Sequence, residues 1–174
     1  MPTGSEPEPA PLSQPPPGAP TVGPPGAAPP ARPALLVSAC LLGVRCNHRG
    51  EASPSPAVAA LAGRYRLVAV CPETLGGLPT PRPAAELQAD GAVRTADGAV
   101  VTQAYRRGAE AAVALARAVG ATEAVLKARS PSCGPHAVYD GTFSRTVVAG
   151  RGVTAAALAD AGLALRDEED VAGP

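Results

Sequence analysis

Four cysteines are the side chains in this sequence best suited to bind a metal or to act as nucleophiles. They are Cys40, Cys46, Cys71 and Cys133. No two of them form a C-x-x-C pair, which argues against a zinc ribbon or a thioredoxin-like motif, and the cysteine run of bacterial ferredoxins is also missing. Spacing along the chain therefore identifies no metal, and each cysteine taken alone is well explained as a small buried apolar residue.

Cys133 lies in the segment SPSCG, residues 130–134, a turn-forming loop that follows an apolar run. Its thiol can be a nucleophile, a metal ligand or a small residue in a tight corner. A nucleophile is disfavoured because the sequence places no histidine to activate it. The hydroxyls of Ser130 and Ser132 can hydrogen-bond a substrate or a cluster sulfur, although serines in such loops usually cap the turn.

The elements that must position these thiols alternate between strand and helix. Apolar runs predict four buried strands, and helical periodicity with proline, threonine or glycine near the ends predicts three helices. The strands are predicted over residues 34–40, 66–71, 122–128 and 163–167, and the helices over residues 56–63, 102–119 and 153–162. This alternation predicts an α/β fold, a Rossmann-like parallel sheet flanked by helices on both faces.

The remaining segments are predicted from their turn residues and composition. A small β-hairpin insertion is expected over residues 91–102, with its turn at Asp97-Gly98, and Thr102 is the expected N-cap of the helix that follows. More than half of the 22 prolines lie in residues 1–33, which are predicted to be a disordered arm. The folded domain then covers residues 34–168, and residues 169–174 are predicted to form a flexible tail.

Parallel α/β sheets bind their ligands beyond the carboxyl ends of the strands. Cys40, Cys71 and Cys133 each lie at or just after such an end, so we expect three thiols at one edge of the sheet. Three thiolates suit an iron–sulfur cluster that leaves one iron open, and an open iron is a Lewis acid able to take a soft sulfur atom. Cys46 can be a fourth ligand, a spare thiol or a buried residue.

Two charged residues near these cysteines are candidates for catalysis. Glu73 follows Cys71 in the segment CPE, and its carboxylate can activate water or shuttle a proton; a surface or N-capping role is the alternative. Lys127 is the single lysine of the chain, and its compact charge can stabilise a negative charge where a guanidinium does not fit, unless it is there by chance.

The aromatic and histidine side chains give weaker signals. Tyr139 and Phe143 can stack on a planar ring, but filling the core is the commoner role of such residues. His48 and His136 have no partner at metal-ligand spacing and are expected to be loop residues.

Composition narrows the classes of partner. The formal net charge is +0, so no nucleic acid and no anionic membrane surface is expected as a partner. No apolar run reaches the roughly 18 residues of a transmembrane helix, and the proline-rich start has no apolar core of a secretory signal. We therefore expect a cytoplasmic protein with reduced thiols, which favours metal binding or catalysis over disulfides.

The motifs VSACLLGVRC, VCPETLGGLPTPRPAAE, KARSPSCG, YDGTFS and GVTAAALADAG follow one another between residues 34 and 168. In this order they resemble the thiouracil desulfurases, a family long catalogued as a domain of unknown function. Two features lie outside the family pattern. One is the segment NHRGE, where the family commonly has an aromatic residue and an acidic residue, and the other is the proline-rich arm.

The resemblance implies a [4Fe–4S] cluster held by Cys40, Cys71 and Cys133, with the fourth iron open to the thione sulfur of a thiolated pyrimidine. It further implies that Glu73 is the acid/base residue and that Ser130 assists it.

The resulting hypothesis is a redox-neutral desulfurase that acts on a small thiolated base, with Lys127 stabilising charge on the ring or the cluster. One alternative is a sulfur-handling protein of the same fold that acts on thiolated nucleosides or transfers the sulfide onward. Another is a non-catalytic protein with a cluster or a zinc ion that serves as a sensor or scaffold. The preferred base and the oligomeric state are left open by the sequence.

Overall fold

The computed structural model describes residues 31–173. Apart from its last three residues, the arm predicted over residues 1–33 lies outside this range. In chain order the elements are β1 (Ala34–Ser38), a 3₁₀ turn (Ala39–Leu42), α1 (Pro56–Ala60), a second 3₁₀ turn (Leu61–Gly63), β2 (Arg66–Val70), α2 (Pro72–Leu75), β3 (Ala85–Leu87), β4 (Val93–Thr95), α3 (Thr102–Val119), β5 (Glu123–Leu126), β6 (Ala137–Tyr139), β7 (Val147–Ala149), α4 (Val153–Asp160), β8 (Ala164–Asp167) and α5 (Glu168–Ala172).

The four strands predicted from apolar runs form one parallel sheet in the order β2-β1-β5-β8. Because successive side chains of a strand point to opposite faces, β1 supplies two cores. Leu35 and Val37 belong to one core, together with Val58 of α1. Leu36 belongs to the other core, which lies against α3 and α4. The predicted α/β fold with helices on both faces is therefore confirmed.

Two small antiparallel ribbons lie outside this sheet. One pairs β3 with β4, and the other pairs β6 with β7. The turn predicted at Asp97-Gly98 is present, but β4 makes only one bridge across it, from Arg94 to Val100, and takes β3 as its partner. The reason is that the chain after the turn enters α3 at Thr102 and leaves no room for a second strand.

Two helix ends differ from expectation. The N-cap of α3 is Val101, and the Thr102 hydroxyl instead accepts a hydrogen bond from the backbone N–H of Val93 at 3.0 Å. Most of the stretch predicted as a flexible tail over residues 169–174 belongs to α5, because Asp167 and Asp170 form a capping box at its start.

Within residues 31–173, no helix has the length and apolar character needed to cross a membrane.

Candidate functional site

A cavity of about 690 Å³ opens at the carboxyl ends of the parallel strands. The residues that line it include all four cysteines and the three other predicted site residues, Glu73, Lys127 and Ser130. The structure thus places every sequence-predicted site residue at one location.

The strand ends explain how residues far apart in the sequence meet here. Cys40 lies in the 3₁₀ turn that follows β1, and Cys71 directly follows β2 as the N-cap residue of α2. Cys133 lies in the loop that leaves β5. Since β1, β2 and β5 are neighbours in a parallel sheet, their carboxyl ends lie at one edge, and the cysteines that follow them line one cavity.

Ser130 organises the loop that carries Cys133. Its hydroxyl oxygen accepts hydrogen bonds from the backbone N–H groups of Ser132 at 3.2 Å and Cys133 at 3.0 Å. This is the turn-capping role that serine commonly takes. Both accepted bonds leave the Ser130 O–H free to rotate, so the same side chain can also donate to a bound molecule in the cavity.

Close packing fixes the same loop from outside. A Cβ atom on Gly134 would lie 2.5 Å from the carbonyl oxygen of Ala137, and one on Gly152 would lie 2.5 Å from that of Ser132. The Ser132 hydroxyl hydrogen-bonds the buried Thr154 hydroxyl at 2.9 Å. The Cys133 thiol is therefore held by a rigid loop braced against the start of α4.

Burial makes two thiols of the cavity, those of Cys40 and Cys133, weaker acids than usual. It raises the pKa of Cys40 to about 11, with a further contribution from nearby Cys71. It raises the pKa of Cys133 to about 12, and a hydrogen bond with the Ser38 hydroxyl opposes the rise. Near pH 7 these groups are neutral thiols unless a cation stabilises the thiolates, as an iron or zinc centre does.

Cys46 is the fourth thiol of the cavity, 7% exposed and adjacent to Cys71. The Cys71 thiol lies 3.7 Å from the carbonyl oxygen of Cys46. Burial and the neighbouring Cys71 raise the pKa of Cys46 to about 12. Cys46 is thus a buried residue that also offers a sulfur to the cavity.

Glu73 lies in the first turn of α2 and forms an ion pair that the sequence analysis did not anticipate. Nε of Arg82 donates to Oε2 of Glu73 at 2.7 Å. Tyr105, buried on α3, is close enough that the Glu73 carboxylate adds to burial in raising the pKa of the phenol. One signal in the sequence could have indicated this ion pair. Arg82 is the single charged residue between Glu73 and Glu86, so it is the nearest cation that the following loop can offer to Glu73.

Two glycines allow α2 to rest directly on α3. A Cβ atom on Gly76 would lie 2.9 Å from the carbonyl carbon of Ala104, and one on Gly108 would lie 2.7 Å from that of Pro72. This backbone contact sets the position of Cys71 and Glu73 on the cavity wall.

Lys127 lines the cavity and is anchored from two sides. Its ammonium group pairs with Glu168 of α5, whose second carboxylate oxygen accepts the N–H of Ala128 at 2.8 Å. The backbone N–H of Lys127 donates to the hydroxyl of Ser38, at the end of β1, at 3.0 Å. Ser38, another lining residue that the sequence analysis missed, therefore connects the Lys127 strand with Cys133.

The aromatic and histidine residues divide between the site and the surface. Tyr139 and His48 line the cavity, and burial lowers the pKa of His48. Phe143 is 39% exposed, outside the core, and its backbone N–H donates to Glu86 at 2.9 Å. His136 pairs with Asp170 at 2.9 Å and takes no part in lining the cavity.

The segment NHRGE forms part of the cavity rim. Oδ1 of Asn47 accepts hydrogen bonds from the backbone N–H groups of Arg49 and Glu51, which closes a tight turn. Asn47, His48 and Arg49 all line the cavity. This part of the cavity rim is therefore polar and basic.

The donor set of the cavity fits an iron–sulfur group. Cys40, Cys71 and Cys133 offer sulfur ligands from three separate elements, and soft thiolates favour iron–sulfur clusters, zinc and copper(I) over hard ions. The fourth sulfur, at Cys46, is compatible with either a three-thiolate or a four-thiolate site.

Comparison with known proteins gives consistent matches over this domain. Residues 35–170 match the family model of 2-thiouracil desulfurase. An uncharacterised protein of Bacillus subtilis (strain 168), YbbK, is 38% identical over 146 residues, which is 79% of this chain and 97% of YbbK. The solved structure of the [4Fe–4S]-dependent thiouracil desulfidase TudS has a TM-score of 0.73 at 42% identity, covering 79% of this chain and 91% of that one. This chain belongs to the 2-thiouracil desulfurase family.

Proposed function

We propose that this protein is a [4Fe–4S]-dependent desulfurase that converts the C=S group of thiouracil into C=O. The observation that carries the proposal is the cavity in which three cysteines from three strand ends lie beside Glu73, Lys127 and Ser130. The similarity of this chain to a solved [4Fe–4S]-dependent thiouracil desulfidase supports the same cofactor and the same substrate here.

In this proposal Cys40, Cys71 and Cys133 hold the cluster. When bound, the cluster supplies an iron with an open coordination position, a Lewis acid that polarises the C=S bond and accepts sulfur. The overall reaction consumes one water and yields the oxo base and hydrogen sulfide. No electrons are gained or lost, so the reaction requires no external oxidant or reductant.

Glu73 has the role of the acid/base residue. Its carboxylate lies on the cavity wall in a pair with Arg82, and a carboxylate so placed can take a proton from the water that attacks the ring carbon. The same group can return the proton when the sulfur leaves. A partner cation and close packing on α3 keep the carboxylate in one orientation, which such a proton transfer requires.

Ser130 and Lys127 have the assisting roles. The Ser130 hydroxyl, whose oxygen caps the Cys133 loop, donates a hydrogen bond to the bound base. Lys127, held by Glu168 at the cavity wall, stabilises the negative charge that develops as water adds to the ring.

One observation supports a second candidate, a non-catalytic metal site. Because Cys46 adds a fourth thiol to the cavity, a zinc ion held by four cysteines is also compatible with the donor set. Such a protein would be a sensor or a scaffold. A four-thiolate zinc site has no open position and would leave thiouracil unchanged.

The proposal includes a small-molecule substrate and a cytoplasmic location. Four free thiols suit a reducing compartment, and a net charge of +0 gives no electrostatic reason to bind nucleic acid.

The test is the metal content and turnover of protein reconstituted with iron and sulfide under anaerobic conditions. We expect about four irons and four sulfides per chain, and loss of the thione absorbance of thiouracil with release of sulfide. One zinc per chain without sulfide would support the sensor instead. A protein with a full cluster but no turnover of thiouracil would exclude the desulfurase proposal.

A further inference from the structure

The guanidinium of Arg82 is a buried centre that joins three segments around the cavity. Its side chain is 5% exposed. Nε donates to Oε2 of Glu73 at 2.7 Å, and Nη2 donates to the carbonyl oxygen of Cys46 at 2.9 Å. Nη1 donates to the carbonyl oxygen of Pro79 and to the hydroxyl of Thr80, both at 3.1 Å. The guanidinium therefore fixes the start of α2, the Cys46 loop and its own loop in one arrangement.

Fold stability alone is a poor explanation of this buried pair. Removing a guanidinium and a carboxylate from water costs several kcal/mol per ion, and their attraction often only offsets that cost. An Arg–Glu pair of the same chain on the surface shows the contrast: Arg166 and Glu123 lie 3.3 Å apart with both side chains more than a third exposed. Arg82 and Glu73 both line the cavity, where holding a reactive carboxylate in place is a reason to keep such a pair.

The geometry of the guanidinium suits the control of one carboxylate. Arg82 keeps its charge at all relevant pH values. Burial, the largest single effect, lowers the pKa of the guanidinium, but the charge and hydrogen bond of Glu73 together with nearby Cys71 and Tyr105 outweigh it, so the pKa is raised. Its planar fork uses Nε for Glu73 and the Nη atoms for the loop carbonyls, so the position of Glu73 is tied to that of the Cys46 loop. A lysine offers the charge but not this fork.

We propose that Arg82 is the positioning residue of the reaction: it acts through Glu73, holding that carboxylate in the orientation that proton transfer requires. This role rests on the proposed function, since it assigns Arg82 to the acid/base step. In this proposal Arg82 is neither a cluster ligand nor the acid/base residue.

The test compares Arg82→Gln, Arg82→Lys, Glu73→Gln and the double variant Arg82→Gln/Glu73→Gln in reconstituted enzyme. For Arg82→Gln we expect kcat to fall on the order of 10²-fold with little change in KM, because the attacking water is no longer deprotonated by a well-placed base. Arg82→Lys should recover part of the kcat.

The double variant separates positioning from a general structural effect. If Arg82 acts through Glu73, Arg82→Gln should lower kcat little further once Glu73 is already Gln, which is strong non-additivity. Iron and sulfide content should stay near that of the wild type. The melting temperature of Arg82→Gln should fall, because the substitution leaves the Glu73 carboxylate without its buried partner, so kcat is measured well below that temperature. The matched control is Arg166→Gln, which breaks the surface Arg–Glu pair and should leave kcat and KM unchanged.

Three results would overturn the role of Arg82. Additive losses in the double variant would show that Arg82 acts independently of Glu73, and loss of iron from Arg82→Gln would show that it supports the cluster site instead. A kcat of Arg82→Gln equal to that of the wild type would remove Arg82 from the reaction. A wild-type enzyme with a full cluster that leaves thiouracil unchanged would overturn the proposed function itself, and this role with it.

Discussion

Gly108 of α3 faces Pro72 of α2 so closely that a Cβ atom on Gly108 would lie 2.7 Å from the Pro72 carbonyl carbon and overlap its oxygen. Pro72 stands between Cys71 and Glu73, the predicted ligand and the predicted acid/base residue. The long helix thus determines where two of the site residues lie, although it contributes neither of them.

Substitution of Gly108 by Ala should therefore disturb both stability and the site. The added methyl group meets backbone, which cannot rotate away, so we expect a loss of about 3 kcal/mol or more in the free energy of unfolding. The iron content of reconstituted protein should fall as α2 moves. Urea unfolding of metal-free protein and iron analysis after reconstitution measure the two effects.

The matched control is Gly63→Ala, since a Cβ atom on Gly63 meets no atom within 4 Å. This variant should be as stable as the wild type or slightly more so, because alanine restricts the unfolded chain. Equal stability of the two variants would show that α2 and α3 are not in contact as described.

Substitution of single cysteines by alanine should distinguish the three proposed cluster ligands from Cys46. Cys133→Ala removes one of three proposed ligands, so we expect little or no stable cluster after reconstitution. Cys46→Ala should keep about four irons per chain, because three thiolates suffice for a cluster with one open iron. Iron and sulfide analysis of both variants gives the answer, with wild-type protein treated in parallel.

Two other patterns would contradict this assignment. Loss of the cluster from Cys46→Ala would make Cys46 a ligand, and a cluster retained in Cys133→Ala would exclude Cys133. Melting temperatures of the metal-free variants show whether either substitution simply unfolds the chain.

The sheet and the location of the site could be predicted because they depend on local signals. The runs ALLVS and EAVL are apolar because β1 and β5 are covered on both faces, and such runs stand out from the sequence. Once the strands are parallel, their carboxyl ends share an edge, which predicts the gathering of Cys40, Cys71 and Cys133 without any knowledge of loop structure.

The contacts that organise the site could not be predicted in the same way. The ion pair of Glu73 with Arg82 depends on the path of a proline-rich loop. The hydrogen bond from the backbone of Lys127 to the Ser38 hydroxyl depends on the register of two strands that are distant in sequence. The β6–β7 ribbon was missed because each strand has only three residues, too few for an alternating pattern. Helix α5 was missed because it is stabilised by the capping box at Asp167 and shows no apolar periodicity that the sequence would reveal.

Glu73→Gln should lower kcat for thiouracil by about 10²- to 10⁴-fold, the usual contribution of a general acid or base, without loss of iron. The amide is close in shape to the carboxylate but cannot take a proton from water. Glu123→Gln, at the surface pair with Arg166, is the control and should retain the wild-type rate. An unchanged rate in Glu73→Gln would remove Glu73 from the mechanism.

Ser38→Ala should lower stability even in the absence of any metal. The Ser38 hydroxyl, 2% exposed, accepts the backbone N–H of Lys127 at 3.0 Å and hydrogen-bonds the Cys133 thiol. Alanine leaves that N–H without its acceptor between β1 and β5, which costs about 1–3 kcal/mol, and urea unfolding of metal-free protein measures it. Ser144→Ala, at an exposed hydroxyl, should stay within about 0.5 kcal/mol of the wild type. If the two serine variants unfolded at the same urea concentration, the hydroxyl of Ser38 would not hold the two strand ends together.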